Sequence, residues 1–345
     1  MPDLLAPGHK LVVGYSGGQD STCLLHALAE RRLDLVAAHV DHGLRPESAE
    51  QARHISGVAR SWGLRCEVRR IDLAAYRERT GWGIQQTARA ARYQVLAAIV
   101  AEVQAEALLV AHTADDQAET VLLNLLRGAG LKGLSGMRLE ERVDPGQLGP
   151  ALVQAPPVRV ARPLLRVSRA TTLAYCQELG LDHVADPSNL SGAYTRNRVR
   201  LELLPLLERF NPGVRGTLAR TADLAAEDEQ ALDDLAQAQL RELATRADAD
   251  GLEVPLAAWR QQPRALRRRV LRLALASLLG GLVDVHDAPI EDALDLLDAA
   301  AGPRAYHLPG GIELSVQPGR FVLRLHGQAQ APKGAKSQGT PPPRV

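Results

Sequence analysis

Apolar residues in the first half of the chain come in short continuous runs, separated by stretches where they return every three or four positions. The runs at 11–15, 33–40, 65–73, 107–112 and 158–162 predict strands, and the patterns at about 20–31, 47–62, 84–104, 115–127 and 168–180 predict helices. Leu11–Val13 and Leu108–Val110 contain no polar residue, as strands covered on both faces require. Alternating strand and helix predicts an α/β fold with a doubly wound, Rossmann-like parallel sheet. Ligands of such sheets gather beyond the carboxyl ends of the strands. The segments to read for chemistry are therefore 16–21, 41–45 and 112–119.

Residues 140–158 hold Pro145, Pro150, Pro156 and Pro157 with Gly146 and Gly149, and read as a long surface loop suited to a substrate flap. The pattern changes at Asn211-Pro212-Gly213 and stays helical to about 247. Nine acids and two arginines occupy 222–250, whereas 258–272 carries six arginines and no acid. Alternation returns over Tyr306–Val316 and Phe321–Leu325 around Pro318-Gly319, the pattern of a β-hairpin. From Gly327 onward the chain is rich in Pro, Gly, Gln and Lys without an acid, the composition of a disordered tail. The expected organisation is a catalytic domain over 1–215, a smaller, mainly helical domain over 216–326 ending in the hairpin, and a tail over 327–345.

Composition changes this picture little. With 345 residues, 46% hydrophobic and 23% charged, the chain is ordinary globular protein rather than collagen-like, low-complexity or wholly disordered. Forty-one basic against 40 acidic side chains leave a net charge of +1, so whole-chain charge points to no partner. Cys23, Cys66 and Cys176 are odd in number and lack metal or redox spacing, which fits buried thiols in a reducing compartment. The opening MPDLLAPGHK lacks a basic stretch followed by an apolar core, and no apolar run reaches 18 residues. A cytoplasmic protein without a membrane partner is expected.

The sharpest chemical signal is Ser16-Gly17-Gly18-Gln19-Asp20-Ser21, between the first strand and the first helix. Two glycines let the backbone turn tightly and bare its amides, the helix start adds more amides and its positive dipole end, and Ser16 and Ser21 add hydroxyls. The result is an anion cradle, without the Gly-Lys-Ser/Thr ending of kinase-type loops. A carboxylate at Asp20 would repel a phosphate, and a bridging Mg²⁺ removes the conflict. The alternative is that Ser16 and Gln19 only cap the helix.

This loop resembles that of the N-type ATP pyrophosphatases, or PP-loop enzymes, which split ATP into AMP and pyrophosphate while adenylating an oxygen of the substrate. One branch, the tRNA(Ile)-lysidine synthetases, is further resembled by His39-Val40-Asp41-His42-Gly43-Leu44-Arg45, by Ala88–Tyr93, by Ala111–Thr120, by Leu126-Arg127-Gly128-Ala129-Gly130, by Arg162-Pro163-Leu164-Leu165, and by Asp186-Pro187-Ser188-Asn189 with Arg196–Arg200. The match runs in order over about 10–215, and more loosely into the later hairpin. Longer members of that family carry another C-terminal domain, before which this chain is expected to stop. The resemblance implies a ligase that uses ATP and Mg²⁺. It would adenylate the oxygen on carbon 2 of the wobble cytidine in a tRNA(Ile) with a CAU anticodon. Free L-lysine would then attack that carbon, giving lysidine, AMP and pyrophosphate. A homodimer is left open.

The residues can be set against that chemistry. Ser16, Gly17, Gly18, Gln19, Asp20 and Ser21 would bind ATP, with Asp20 meeting Mg²⁺ through the phosphates. Asp116 and Glu119, three apart at a helix start, share a face and could hold the lysine ammonium. The same spacing suits a Thr113–Asp116 capping box with a solvated Glu119. Holding an ammonium favours its charged form, so the base is not assigned by this pair; His112 and Asp41 are candidates. Arg89 and Arg92, also three apart, could neutralise the adenylated intermediate, or form a solvated helix face. Arg196, Arg198 and Arg200 suit RNA phosphates, or could pair with Glu202 or Glu208. Arg264, Arg267 and Arg268 make a second basic patch for tRNA, unless they pair with the acids of 222–250.

Three rivals remain. A tRNA sulfur transferase would share the loop but generally needs paired cysteines. A non-catalytic nucleotide or RNA scaffold would need neither Asp20 nor the acid pair. An amidotransferase-type synthetase would need a glutaminase domain or an N-terminal nucleophile, and the chain begins Met1-Pro2-Asp3.

Overall fold

Successive side chains of a strand point to opposite faces, and here both faces are covered. In the computed structural model the sequence folds into two compact units, Met1–Glu229 and Gln230–Val345. The residues described are 2–6, 8–43, 47–184, 195–248, 251–279, 287–299 and 302–325. The expectations for Leu44, Arg45, Asp186–Asn189 and the tail over 327–345 lie outside them.

The first unit alternates β1 (Lys10–Gly14), α1 (Gln19–Ala29), β2 (Asp34–Asp41), α2 (Ser48–Ser61), β3 (Arg65–Arg70), α3 (Leu73–Thr80), α4 (Ile84–Glu102), β4 (Ala107–Leu109), α5 (Ala114–Leu126), α6 (Leu131–Leu134), β5 (Glu140–Val143), β6 (Val158–Ala161) and α7 (Arg169–Glu178). Then come α8 (Thr195–Arg198), a π turn over Val199–Leu203, α9 (Leu204–Glu208) and the long α10 (Val214–Leu243). The strand order is β3-β2-β1-β4-β6-β5. All neighbours are parallel except β5 and β6. Val12, Val36 and Ala38 pack on one face with Tyr93, Leu96 and Ile99 of α4. Their neighbours Leu11, Val13 and Ala37 pack on the other with Leu24 and Leu25 of α1 and Ile55 of α2. The order in which strands are added reverses at β1, which pairs with both β2 and β4. A crevice opens at such a switch point, and the glycine loop and the start of α5 both end there.

The structure differs from expectation in four places. Residues 140–158 are not all loop. Glu140–Val143 forms an antiparallel edge strand on β6. Its acids face Arg159, 2.5 Å from Glu140, and the fully buried Arg162, which pairs with Glu141. A charged edge of this kind resists further pairing. The rest is pinned by Gln94, whose Nε2 lies within 3.4 Å of the Pro145, Gly149 and Pro150 carbonyls, while its Oε1 accepts the Leu152 amide at 2.6 Å. Under it lies a cavity of about 460 Å³. The short α3 is additional, closed by the Asp72 carboxylate accepting the Ala75 amide at 2.9 Å and by Gly81 at φ +67°.

In the second unit, β7 (Arg246–Asp248), β8 (Gly251–Pro255), α11 (Leu256–Arg260), α12 (Arg264–Leu279), α13 (Asp287–Ala299), β9 (Arg304–Leu308), β10 (Ile312–Gln317) and β11 (Arg320–Leu325) follow the end of α10. The expected hairpin is β10–β11, at the heart of a five-stranded antiparallel sheet, β7-β8-β11-β10-β9. Its first arm is broken into two strands at Pro309-Gly310-Gly311, because Gly310 and Gly311 take φ +78° and +74°. Trp259, fully buried, meets Phe321 edge-on at 5.1 Å in the core. The unit boundary falls inside α10, later than residue 215.

Candidate active site

The glycine loop forms as its residue types demand. Gly17 sits at φ +79°, where a Cβ would lie 2.7 Å from Ile55 Cγ1. A side chain there would be strained by the backbone conformation and would have to push the Ile55 side chain aside. Its carbonyl accepts the Val184 amide at 2.8 Å. Ser16 and Ser21 hydroxyls meet at 3.1 Å across the turn, and Gly18 is the N-cap of α1. Backbone amides, hydroxyls and a helix start converge as an anion site requires.

Asp20, in the first turn of α1, aims at α7. Its Oδ1 accepts the Thr172 hydroxyl at 2.5 Å and its Oδ2 the Arg169 Nε at 3.2 Å. Gln19 reaches the Arg169 carbonyl at 3.0 Å. One carboxylate beside a phosphate cradle suits Mg²⁺, which takes one or two carboxylates and completes its shell with phosphate oxygens and water. Among the described residues, no cluster of three or more His, Cys, Asp or Glu could hold a metal by itself.

At the start of α5 the capping box is real. Asp116 Oδ2 accepts the Thr113 amide and hydroxyl, both at 2.9 Å. The cap uses only one oxygen. The other, Oδ1, faces Arg169 at 3.0 Å and Arg196 at 3.3 Å. Glu119 is not solvated, because its side chain is 0% exposed. It accepts Arg200 Nε at 2.6 Å and Arg196 Nε at 2.8 Å, with Arg169 Nη1 at 3.6 Å. Burial alone would raise the Asp116 carboxyl. Arg169, His112 and Arg196, with the Thr113 amide, outweigh it and hold the group below its usual range. Burial likewise works against the Arg169 guanidinium, and Asp116, Asp20 and Glu119 reverse that, keeping it firmly charged.

Arg169 is the residue the sequence reading missed. It spans Asp20 of the glycine loop and both carboxylates of α5. Asp115, beside the pair, accepts the Arg169 backbone amide at 2.7 Å and Arg215 Nη1 at 2.9 Å, tying α7 and the start of α10 to the same helix. The local signal was a Ser168 N-cap on α7, which fixes a helix start and nothing about its partners.

The other candidates fall into two groups. His112 interacts with Asp116 and His42 with Arg92 and Asp41, and among the described residues the Nδ1 of each is sealed from solvent without a hydrogen-bond partner. Burial lowers both imidazoles. Arg92 adds to the effect on His42, bringing it to about 4, and Asp116 opposes it at His112. Both rings are therefore neutral at pH 7. Arg89 and Arg92 stand exposed, their guanidiniums 5.0 and 5.9 Å from the Tyr93 ring centre. Asp41 turns back on its own loop, accepting the Gly43 amide at 2.9 Å with Arg70 at 3.9 Å. Arg198 is exposed and pairs with Glu202 at 3.3 Å.

The candidate arginines of the second unit, Arg264, Arg267 and Arg268, are all engaged within their own unit. Arg264 meets Glu291 at 2.9 Å and Asp295 at 2.6 Å, Arg267 pairs with Asp298, and Arg268 pairs with Glu291. Arg268 first, then Arg264, lower the Glu291 carboxyl to about 2. The acids belong to α13, while Asp233 of the acidic stretch takes Arg269 at 2.8 Å. Arg267 is 8% exposed, so Arg267→Ala is expected to destabilise this unit by about 1.5–3 kcal/mol, the worth of a lost charged hydrogen bond. Urea unfolding followed by tryptophan fluorescence checks it, and an unchanged midpoint contradicts a structural pairing.

Residues 3–207 match the PP-loop domain family, and residues 255–326 match the TilS substrate binding domain family. A tRNA(Ile)-lysidine synthase of Dehalococcoides mccartyi is 37% identical over 325 residues, covering 93% of this chain and 67% of that protein. The tRNA(Ile)-lysidine synthase of Leifsonia xyli is 40% identical over 285 residues, covering 81% and 80%. That of Deinococcus deserti is 41% identical over 276 residues, covering 78% and 46%. The chain thus spans about two thirds of the first of these relatives and under half of the last. Among solved structures, a U34-tRNA thiolase from Methanococcus maripaludis is similar in fold, with a TM-score of 0.53 at 20% identity over 65% of this chain and 74% of that one. Among the described residues no helix is long and apolar enough to cross a membrane.

Proposed function

Because the chain belongs to the tRNA(Ile)-lysidine synthase family, we propose that it joins free L-lysine to carbon 2 of the wobble cytidine of a CAU-anticodon tRNA(Ile), consuming ATP in the cytoplasm. The observation that carries this reading is the span of Arg169. One guanidinium touches Asp20 of the anion cradle and the acid pair of α5, so a nucleotide's phosphates and an ammonium group can sit one side chain apart. A thiolase reading gains nothing from the three free cysteines, two of them buried.

The steps follow from the groups present. Ser16, Ser21 and the Gly17–Gly18 backbone receive the pyrophosphate end of ATP. Magnesium, held through Asp20, would neutralise phosphate charge there. The cytidine oxygen attacks the α-phosphorus, and pyrophosphate leaves. Arg89 and Arg92, both exposed, would neutralise the adenylate's phosphate. Asp116 and Glu119 orient the lysine amine, which attacks carbon 2 and expels AMP. The attacking nitrogen must lose a proton. His112, whose Nδ1 has no hydrogen-bond partner among the described residues, would take it, and for that role the negative charge of the acid pair and the adenylate would have to raise an imidazole that burial depresses to about 3. Asp41, turned onto its own loop, is left a structural part.

The test is incubation with ATP, labelled lysine and a tRNA(Ile) transcript bearing CAU, with the methionine tRNA of the same anticodon in parallel. Stable label in the first tRNA, with one AMP and one pyrophosphate per lysine, is expected. No incorporation by a folded sample rejects the proposal. His112→Gln is expected to slow lysine transfer about 10²-fold while sparing pyrophosphate release. Equal loss of both steps would remove it as the proton acceptor.

A further inference from the structure

Resting on the reading that Asp116 and Glu119 hold the lysine ammonium, we propose that Arg196 and Arg200 occupy that site in the free enzyme and that one of them gives up its place to lysine when tRNA phosphates draw it away. The charges around the pair make the case. Three carboxylates, Asp20, Asp116 and Glu119, meet three guanidiniums, Arg169, Arg196 and Arg200, all within 3.6 Å of a partner. The cluster is balanced before any substrate arrives. Glu119 lies wholly out of solvent, and the three arginine side chains are only 20–32% exposed. An ammonium added to this set would be a surplus buried cation, which costs several kcal/mol. Lysine therefore enters by exchange, and one guanidinium leaves for it.

Which guanidinium leaves is set by what holds each. Arg169 lies in the first turn of α7 and its backbone amide is bonded to Asp115. It is fixed at both ends. Arg196 and Arg200 lie on a segment of short helix and π turn that also carries Arg198, exposed and paired with Glu202. Helical irregularities of this kind are frequent at functional sites. Arginine forks bind phosphate as well as they bind carboxylate, so an RNA backbone offers both residues an equivalent partner. The substrate that must be modified thus uncovers the site for the amino acid that modifies it. Coupling of this kind is reciprocal, so lysine should equally tighten tRNA binding.

Equilibrium dialysis of labelled lysine against the full chain tests this, alone, with the tRNA(Ile) transcript, and with an ATP analogue that cannot be cleaved between its α- and β-phosphates. The wild type is expected to bind lysine on the order of tenfold more tightly with tRNA than without, and the analogue alone to add little. Arg196→Gln leaves Arg169 and Arg200 on Glu119, so the fold is retained, which a thermal midpoint verifies. It should bind lysine on the order of tenfold more tightly without tRNA and gain less from tRNA. Arg196→Lys, which keeps the cation, should stay near the wild type. Loss of packing alone would weaken lysine binding in the glutamine variant, not strengthen it. Unchanged or weaker binding by Arg196→Gln, equal wild-type affinity with and without tRNA, or a full gain from the nucleotide analogue alone overturns the exchange. A wild type that incorporates lysine yet shows no coupling sinks the exchange and leaves the ligase reading standing. A wild type that neither binds nor incorporates lysine sinks both.

Discussion

Asp20→Asn is expected to lower pyrophosphate release by about 10³-fold, the scale of removing one charged stabiliser from a preorganised site. The asparagine keeps the shape of the side chain and the start of α1. It loses the charge that faces Arg169 and that would meet Mg²⁺. A pyrophosphate-coupled assay with saturating tRNA reads the first step alone. Because the altered group lies at the nucleotide end of the Arg169 span, lysine binding should change far less than adenylation. Near-normal release would mean that the loop carries phosphate without Asp20, and the proposed metal contact would go with it.

The second large effect is expected at Glu119. Glu119→Gln should leave tRNA-dependent exchange of pyrophosphate into ATP within severalfold of the wild type, while lysine incorporation falls by roughly 10³-fold. Breaking a buried ion pair costs about 3 kcal/mol or more, so the variant should also melt earlier. Both follow from one observation, a carboxylate sealed from solvent among three guanidiniums. Parallel loss of adenylation and transfer would show that the acid supports the whole site rather than the amine.

These two residues were legible in the sequence for local reasons. Asp20 lies inside a six-residue loop whose glycines and hydroxyls have one obvious use. Asp116 and Glu119 stand three apart after an apolar run, and helical spacing places them together. What they touch was not legible. Arg169 and Thr172 reach Asp20 across 149 and 152 positions of chain, and no periodic pattern encodes such a meeting. The expected arginine–RNA contacts show the same limit. A basic run reveals its charge, and the acids of α13 that face Arg264, Arg267 and Arg268 are set by the packing of two helices. The strands and the covering of both sheet faces could be read from continuous apolar runs, whereas the strand order could not. The edge strand at Glu140–Val143 could not, since its charged residues are held by cross-strand partners instead of a core.

Gln94 gives the proline-rich segment over 144–152 an unusual vulnerability. The amide of this one residue is bonded along the segment from Pro145 to Leu152, and the Tyr76 hydroxyl donates to Pro150 from the same cluster. Proline content would suggest a stiff stretch that resists digestion. The bonding says otherwise, because one amide of the sheet-covering helix supplies most of its ties, with Tyr76 and Arg79 adding one each. With leucine at position 94, chymotrypsin should nick the chain near Leu148 and Leu152 long before the sheet beneath is attacked.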